Sequence, residues 1–208
     1  MDFSKPKATY IAIHKSRGHK AIADIMPEGF EHNILVTDCW TAYFKDIAAL
    51  HQLCTAHLLR ELKFVAGQYP KNTWVQRMYG LIVNALELRK ENKLTAQKSK
   101  EITRTFLLLI EEPASQEIKE LITFQKRMVK YSGYVFAFMD NPEIPPDNNG
   151  SERAIRNFKV KQKISGLFRS KGGAEIFATL RSVIDTAIKQ EQNPYHKLHA
   201  ISLLVQTE

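Results

Sequence analysis

Asn33-Ile34-Leu35-Val36-Thr37, closed by Asp38, is the stretch on which the fold turns. Ile34, Leu35 and Val36 make a short apolar run of the kind carried by a strand buried on both faces. A carboxylate ends it. In α/β proteins functional side chains gather at the C-terminal ends of strands, because a strand holds them rigidly beside a crevice. Asp38 is therefore a candidate site residue. The plain alternative is a turn or helix N-cap aspartate, since the stretch from about Trp40 to Leu50 reads as helical.

Outward from this strand the first third keeps an α/β character. Thr9 to His14 (TYIAIH) is a β-rich run and a second expected strand. A helix is expected from about Gly18 to Met26, stopped by Pro27 and Gly29. His51 to Thr55 reads as a third strand, and Ala56 to Ala66 as a helix with Leu58, Leu59, Leu62 and Val65 on one side. The pattern then changes. Apolar residues recur at helical spacing around Trp74 to Leu86, Ile102 to Ile110 and Ile118 to Met128, with no strand signal between them. Residues 67–139 are therefore expected to form an all-helical insertion. Asp140 to Asn149 (DNPEIPPDNN) is expected to be a loop, because Pro145 and Pro146 hold it partly extended. A helix should follow at once. A further helix is expected near the end, with Ile176, Phe177, Leu180, Val183, Ile184, Ala187 and Ile188 on its apolar face. The resulting segments are 1–66, 67–139, 140–190 and a C-terminal tail, 191–208.

Composition narrows the partners. Lysine and arginine outnumber aspartate and glutamate by 30 to 22, a formal charge of +8. Such a surplus favours a polyanion, either nucleic acid or an anionic surface. No apolar run reaches the length of a membrane span, and the N-terminus has no apolar signal core. Two cysteines, Cys39 and Cys54, do not make a disulfide framework. A cytoplasmic protein without a membrane partner is the expectation.

Glu152 is the second candidate carboxylate. It follows the loop, and a glutamate three residues after Asn149 also fits a capping box. Capping does not explain why the sequence is then so basic. Arg153, Arg156, Lys159, Lys161, Lys163, Arg169 and Lys171 follow with no acid before Glu175. One carboxylate beside a run of cations is suited to a metal and to phosphate backbone; a solvated charge run is the alternative. Cys54 and His57 form a Cys-x-x-His pair. Zinc needs a fuller set of ligands than this pair offers, so a buried thiol and a packed histidine supporting the nearby site is the expected role.

The run DNNGSERAIRNFKVKQKISGLF (147–168), the following RSKGGAEIFATLRSVIDTAIKQEQNPYHKL, CTAHLLREL from Cys54 and VTDCWTAY around Asp38 together resemble the insertion sequence 66 transposase family. The resemblance runs from about Tyr10 to about Leu198. It implies a partial RNase H-like fold, a short mixed sheet flanked by helices and interrupted by the helical insertion. It implies an Asp, Asp, Glu triad in which Asp38 is the second Asp and Glu152 the Glu, holding two Mg²⁺ (or Mn²⁺) ions. The activity implied is cleavage and strand transfer of DNA, with transposon ends and target as partners and a homo-oligomer as the active assembly. The family's first Asp lies on a strand preceding TYIAIH, and Asp2 does not match its context. A truncated, inactive fragment is therefore expected. A DNA-binding remnant, or a regulatory subunit of a full-length transposase, is the alternative.

Overall fold

The structure is a computed structural model that describes residues 2–5, 8–45, 48–166 and 168–205, with side chains for all of these except 2–5 and 204–205. The chain forms two units. One comprises residues 28–148 and the other residues 1–27 with 149–208. These limits differ from the segment boundaries expected at 66 and 139.

In the 28–148 unit, β3 (Phe30–Thr37) pairs in parallel with β4 (Ala48–Leu53), with Thr37 opposite Leu53 and Leu35 opposite His51. The strand expected at Asn33 to Thr37 is there and longer. The helix expected from Trp40 to Leu50 is not. A 3₁₀ turn at Thr41–Phe44 takes its place, and β4 already begins at Ala48. The cause is tertiary. The Phe44 ring stacks on Tyr131 at 3.9 Å and on His51 at 4.7 Å, which turns the chain inward. Pairing with β3 then outweighs the weak helical pattern that Ala48, Ala49 and Leu50 offer.

Five helices complete this unit among its described residues: α2 (Thr55–Gln68), α3 (Thr73–Lys90), α4 (Ala96–Glu111), α5 (Lys119–Lys130) and the short α6 (Ala137–Asp140). Their apolar faces bury Leu58, Leu62, Met78, Ile82, Phe106 and Phe124 to 1% exposure or less. Helix starts are set by side chains: Asn72 accepts the Val75 amide and Thr95 the Lys98 amide. Gln52 is fully buried and fully used. Its amide donates to the Val135 carbonyl at 2.8 Å and accepts the Phe138 N–H at 2.9 Å, which fixes β4 to the start of α6.

The other unit is thinner. β1 (Asp2–Lys5) and β2 (Ala8–Ile11) form an antiparallel pair, the latter covering only the start of the expected TYIAIH strand. α1 (His19–Ile25) follows as expected, and Gly29 takes a φ of 66° beyond it. α7 (Asn149–Ser165) runs further than expected, so Lys159, Lys161 and Lys163 are helical; it ends at Gly166 with φ 73°, a left-handed stop. α8 (Lys171–Lys189) starts on a Ser170 cap, and residues 194–205, expected as a tail, form α9 (Pro194–Val205) packed along α8.

The apolar face expected on α8 is only partly buried. Ala174, Ala178 and Ala187 are inside, whereas Ile176 is 64% exposed and Ile188 58%. The reason lies in what α8 packs against. The Ile11 N–H donates to Ser182 Oγ at 2.9 Å. The Thr9 N–H donates to Thr186 Oγ1 at 2.9 Å, and that hydroxyl donates back to the Thr9 carbonyl. A helix whose hydroxyls bond a strand's backbone must come close, and small residues permit that approach. The apolar core of this unit is correspondingly small: Ile11, Phe158 and Ala178, flanked by Ile13, Phe168 and Phe177. No helix among the described residues is long and apolar enough to cross a membrane.

Candidate active site

Asp38 stands directly after β3 and is half-buried. Its Oδ1 accepts the Trp40 N–H at 3.0 Å, the local bond by which aspartates close turns. Its other oxygen has no hydrogen-bond partner among the described residues. Beneath it, Thr37 Oγ1 lies 3.0 Å from the Asp38 carbonyl, to which it donates, and 2.7 Å from His51 Nε2. The hydroxyl has one proton, so His51 presents Nε2–H to it. Burial pushes the His51 pKa down to about 4, in keeping with a neutral ring.

The parallel register brings Cys54 to the same strand end. The Cys54 N–H donates to the Thr37 carbonyl at 2.7 Å. The Cys54 side chain is fully buried, and burial raises its pKa above that of an ordinary thiol. Its Sγ accepts the Asn148 N–H at 3.4 Å. Next to it, the Thr55 N–H and hydroxyl both donate to the Pro146 carbonyl at 2.9 Å. His57 lies in the first turn of α2, half-buried. The Cys-x-x-His segment thus clips the loop over residues 141–148 onto the end of the β3–β4 pair. Cys39, beside Asp38, has its thiol pKa raised to about 11 by burial, against the pull of the Arg127 guanidinium, itself ion-paired with Glu61.

Asn148 occupies the position before α7, yet its buried amide oxygen accepts no hydrogen bond among the described residues. A cap would accept a first-turn amide. The only signal in the sequence is its place in Asp147-Asn148-Asn149, four residues ahead of Glu152.

Glu152 lies in the first turn of α7, half-buried, in the other unit. Glu152, Arg156, Lys159 and Lys163 follow at spacings of four, three and four residues, so they share one helix stripe, away from buried Ala154 and Phe158. Arg153 and Lys161 flank it. Arg153, Arg156, Lys159, Lys161, Lys163, Arg169 and Lys171 are all exposed. Of these, only Lys171 has an ion-pair partner among the described residues, Glu175 at 3.3 Å. The structure therefore gathers Asp38, Cys54 and His57 in one unit and carries Glu152 with the basic run in the other.

As a metal site, the donors are of the right kind. A half-buried carboxylate with an unused oxygen is the hard ligand that Mg²⁺ takes. The number falls short: among the described residues no three His, Cys, Asp or Glu side chains gather where one ion would touch them.

Comparison with known proteins supplies the identity. No curated protein and no solved structure matches the chain. A family model described as Transposase IS66 family matches residues 1–176, which takes in Asp38, the Cys54–His57 segment, Glu152 and the whole basic run. The chain belongs to the IS66 transposase family.

Proposed function

We propose that this chain supplies most of a transposase catalytic domain that cuts and rejoins DNA by phosphoryl transfer on an RNase H-like frame, with Asp38 and Glu152 as two of its three acidic residues. Family membership supports the transposase role. The parallel β3–β4 pair and the β1–β2 hairpin are consistent with the frame. The observation that carries the reading is the clip between Cys54 and Asn148. It ties the end of the 141–148 loop to the strand that presents Asp38. In the sequence three residues lie between Asn148 and Glu152.

In this reading the chain's own residues have distinct tasks. Asp38, held by the Trp40 amide at the end of β3, has its second oxygen available as a ligand. Glu152 approaches from the first turn of a helix. Arg156, Lys159 and Lys163 grip backbone phosphates along the stripe that Glu152 begins, giving affinity with little base readout. Mg²⁺ or Mn²⁺, when bound by these carboxylates, supplies the charge that activates an attacking oxygen and stabilises a leaving one. Cys54 and His57 belong to the support of the loop. The partners are transposon ends and target DNA, and the active assembly is a homo-oligomer.

Fe²⁺ in place of Mg²⁺, with ascorbate and peroxide, cuts backbone near the ligands that hold it. Cuts near both Asp38 and Glu152, all lost in Asp38→Ala, are the expected result. Cuts at one of them alone would remove the other from the site. A second reading is a DNA-binding subunit without chemistry of its own. Among the described residues no three His, Cys, Asp or Glu side chains gather to hold an ion, which favours it, and it predicts no Fe²⁺-directed cuts at either position.

A further inference from the structure

α8 keeps its charges off one side. Successive residues of an α-helix turn by about 100°. On that count Ile176, Leu180, Ile184 and Ile188, four apart, follow one another along one side as a ridge. Lys171, Glu175, Arg181, Asp185 and Lys189, all the charged residues of the helix, lie about 100° or more away from Leu180. Four of them pair among themselves, Lys171 with Glu175 and Arg181 with Asp185. The ridge is open to solvent: Leu180 is 43% exposed, Ile176 and Ile188 are more so, and Ile184 is half-buried. A groove of about 380 Å³ is lined by Val183 and Ala187 of α8 and by Ala200 and Ile201 of α9. Val183 and Ala187 stand three residues after Leu180 and Ile184, so the groove runs beside the ridge. Exposed Lys197 is the one charged residue on its lining. Contiguous apolar side chains at this exposure mark a surface that meets another molecule.

We propose that this ridge and groove form a twofold interface between two copies of the chain. The inference rests on the homo-oligomer of the proposed function and gives it a surface. A twofold contact sets the same patch of each copy against the other, so the patch must fit itself. A ridge beside a groove does: the ridge of each copy enters the groove of the other, the packing that rows of residues four apart favour. Charge selects the partner as well. The chain carries +8, and α7 of the same unit bears a basic run, so a face of that kind repels its own copy. The α8 ridge, free of charged residues, meets its copy without that repulsion, and it offers DNA no cation for a phosphate. Size sets the strength. The 19 residues of α8 make it about 28 Å long. With α9 alongside, the face is about 20 Å wide, on the order of 600 Å² from each copy, the lower end for a specific interface. Such a contact closes at micromolar concentrations.

Sedimentation velocity of the whole chain, from about 1 to about 100 µM, tests this. The expected result is passage from monomer to dimer across that range. Leu180→Lys should raise the dissociation constant about tenfold or more. Leu107→Lys, the same change at a leucine of the 28–148 unit that is 44% exposed, should leave it unchanged. Leu180 lies beside the midpoint of the ridge, so it comes near its own counterpart across the twofold axis. Mixing Leu180→Lys with Leu180→Glu copies should therefore restore the dimer, which misfolded variants would not do. A dimer that survives Leu180→Lys, that Leu107→Lys breaks equally, or that mixing does not restore overturns this interface and leaves the homo-oligomer standing. A chain that stays monomeric at every concentration overturns both, and leaves the catalytic reading to be decided by the Fe²⁺ cuts.

Discussion

The two units of this chain make opposite use of their side chains. Residues 28–148 enclose large apolar groups almost completely, with Phe106, Phe124, Phe138, Met78 and Met128 at 1% exposure or less. The unit formed by residues 1–27 and 149–208 buries mainly alanines, Ile11, Ile22 and Phe158, and leaves Ile164, Ile176, Ile188 and most of its described lysines outside. Buried apolar area is the main favourable term in folding, so the first unit carries the larger share of the stability. The second carries the charge.

The contrast between the units should be largest at a core phenylalanine. Phe106→Ala should cost about 3–5 kcal/mol, the range for a buried aromatic that leaves a cavity. Phe158→Ala in the other unit, where the surroundings are smaller and looser, should cost clearly less. Denaturation midpoints combined with amide hydrogen exchange, which reads the units separately, decide it. Equal losses would mean that the two cores are equivalent.

A smaller effect appears on acidification and should be confined to the 28–148 unit. The folded His51 has its pKa near 4, whereas the unfolded chain takes up a proton near the ordinary value of 6.5. Between those two values the unfolded state binds more protons, so stability is complete above about 6.5 and declines as pH falls toward 4. His51→Phe keeps a ring in the stack and removes the titration. Its midpoint should respond less to pH over that window than the wild type's.

The smallest expected change sharpens the charge side. Replacing Lys159, Lys161 and Lys163 with alanine should weaken DNA binding about tenfold near physiological salt. The log–log salt slope should fall by up to about 2.7, at roughly 0.9 for each phosphate that is no longer neutralised. Thermal stability should hardly move, because all three are exposed. An unchanged slope would take this stripe off the DNA.

Much of this organisation is legible in the residues alone. The apolar run to Asp38 marks β3, and helical periodicity marks α2 to α5, because a buried face leaves its period in the sequence whatever its partner is. Trp40 to Leu50 misleads for the converse reason. Its apolar residues are satisfied by partners far along the chain, Tyr131 for Phe44 and the β3 backbone for Ala48 to Leu53, and local pattern holds no trace of them. The bonds from Ser182 and Thr186 to β2 span more than 170 residues and are invisible on the same ground, so the Ile176–Ile188 face reads as core. At the site, the strand-end position of Asp38 and the support role of Cys54 follow from type and spacing. The orphaned oxygen of Asn148 depends on backbone geometry that composition does not encode.

The hydroxyls of Ser182 and Thr186 have one more effect. A strand at the border of a sheet offers its neighbours a row of open amides, and these invite fibrous stacking of one molecule on the next. On β2 the amides of Thr9 and Ile11, on the side away from β1, are already occupied by a helix of the same chain. That border is stoppered. Another strand cannot be recruited there without prising α8 away, so any lengthening of this sheet has to proceed from its other side, and runaway polymerisation along β2 is closed off by two side chains.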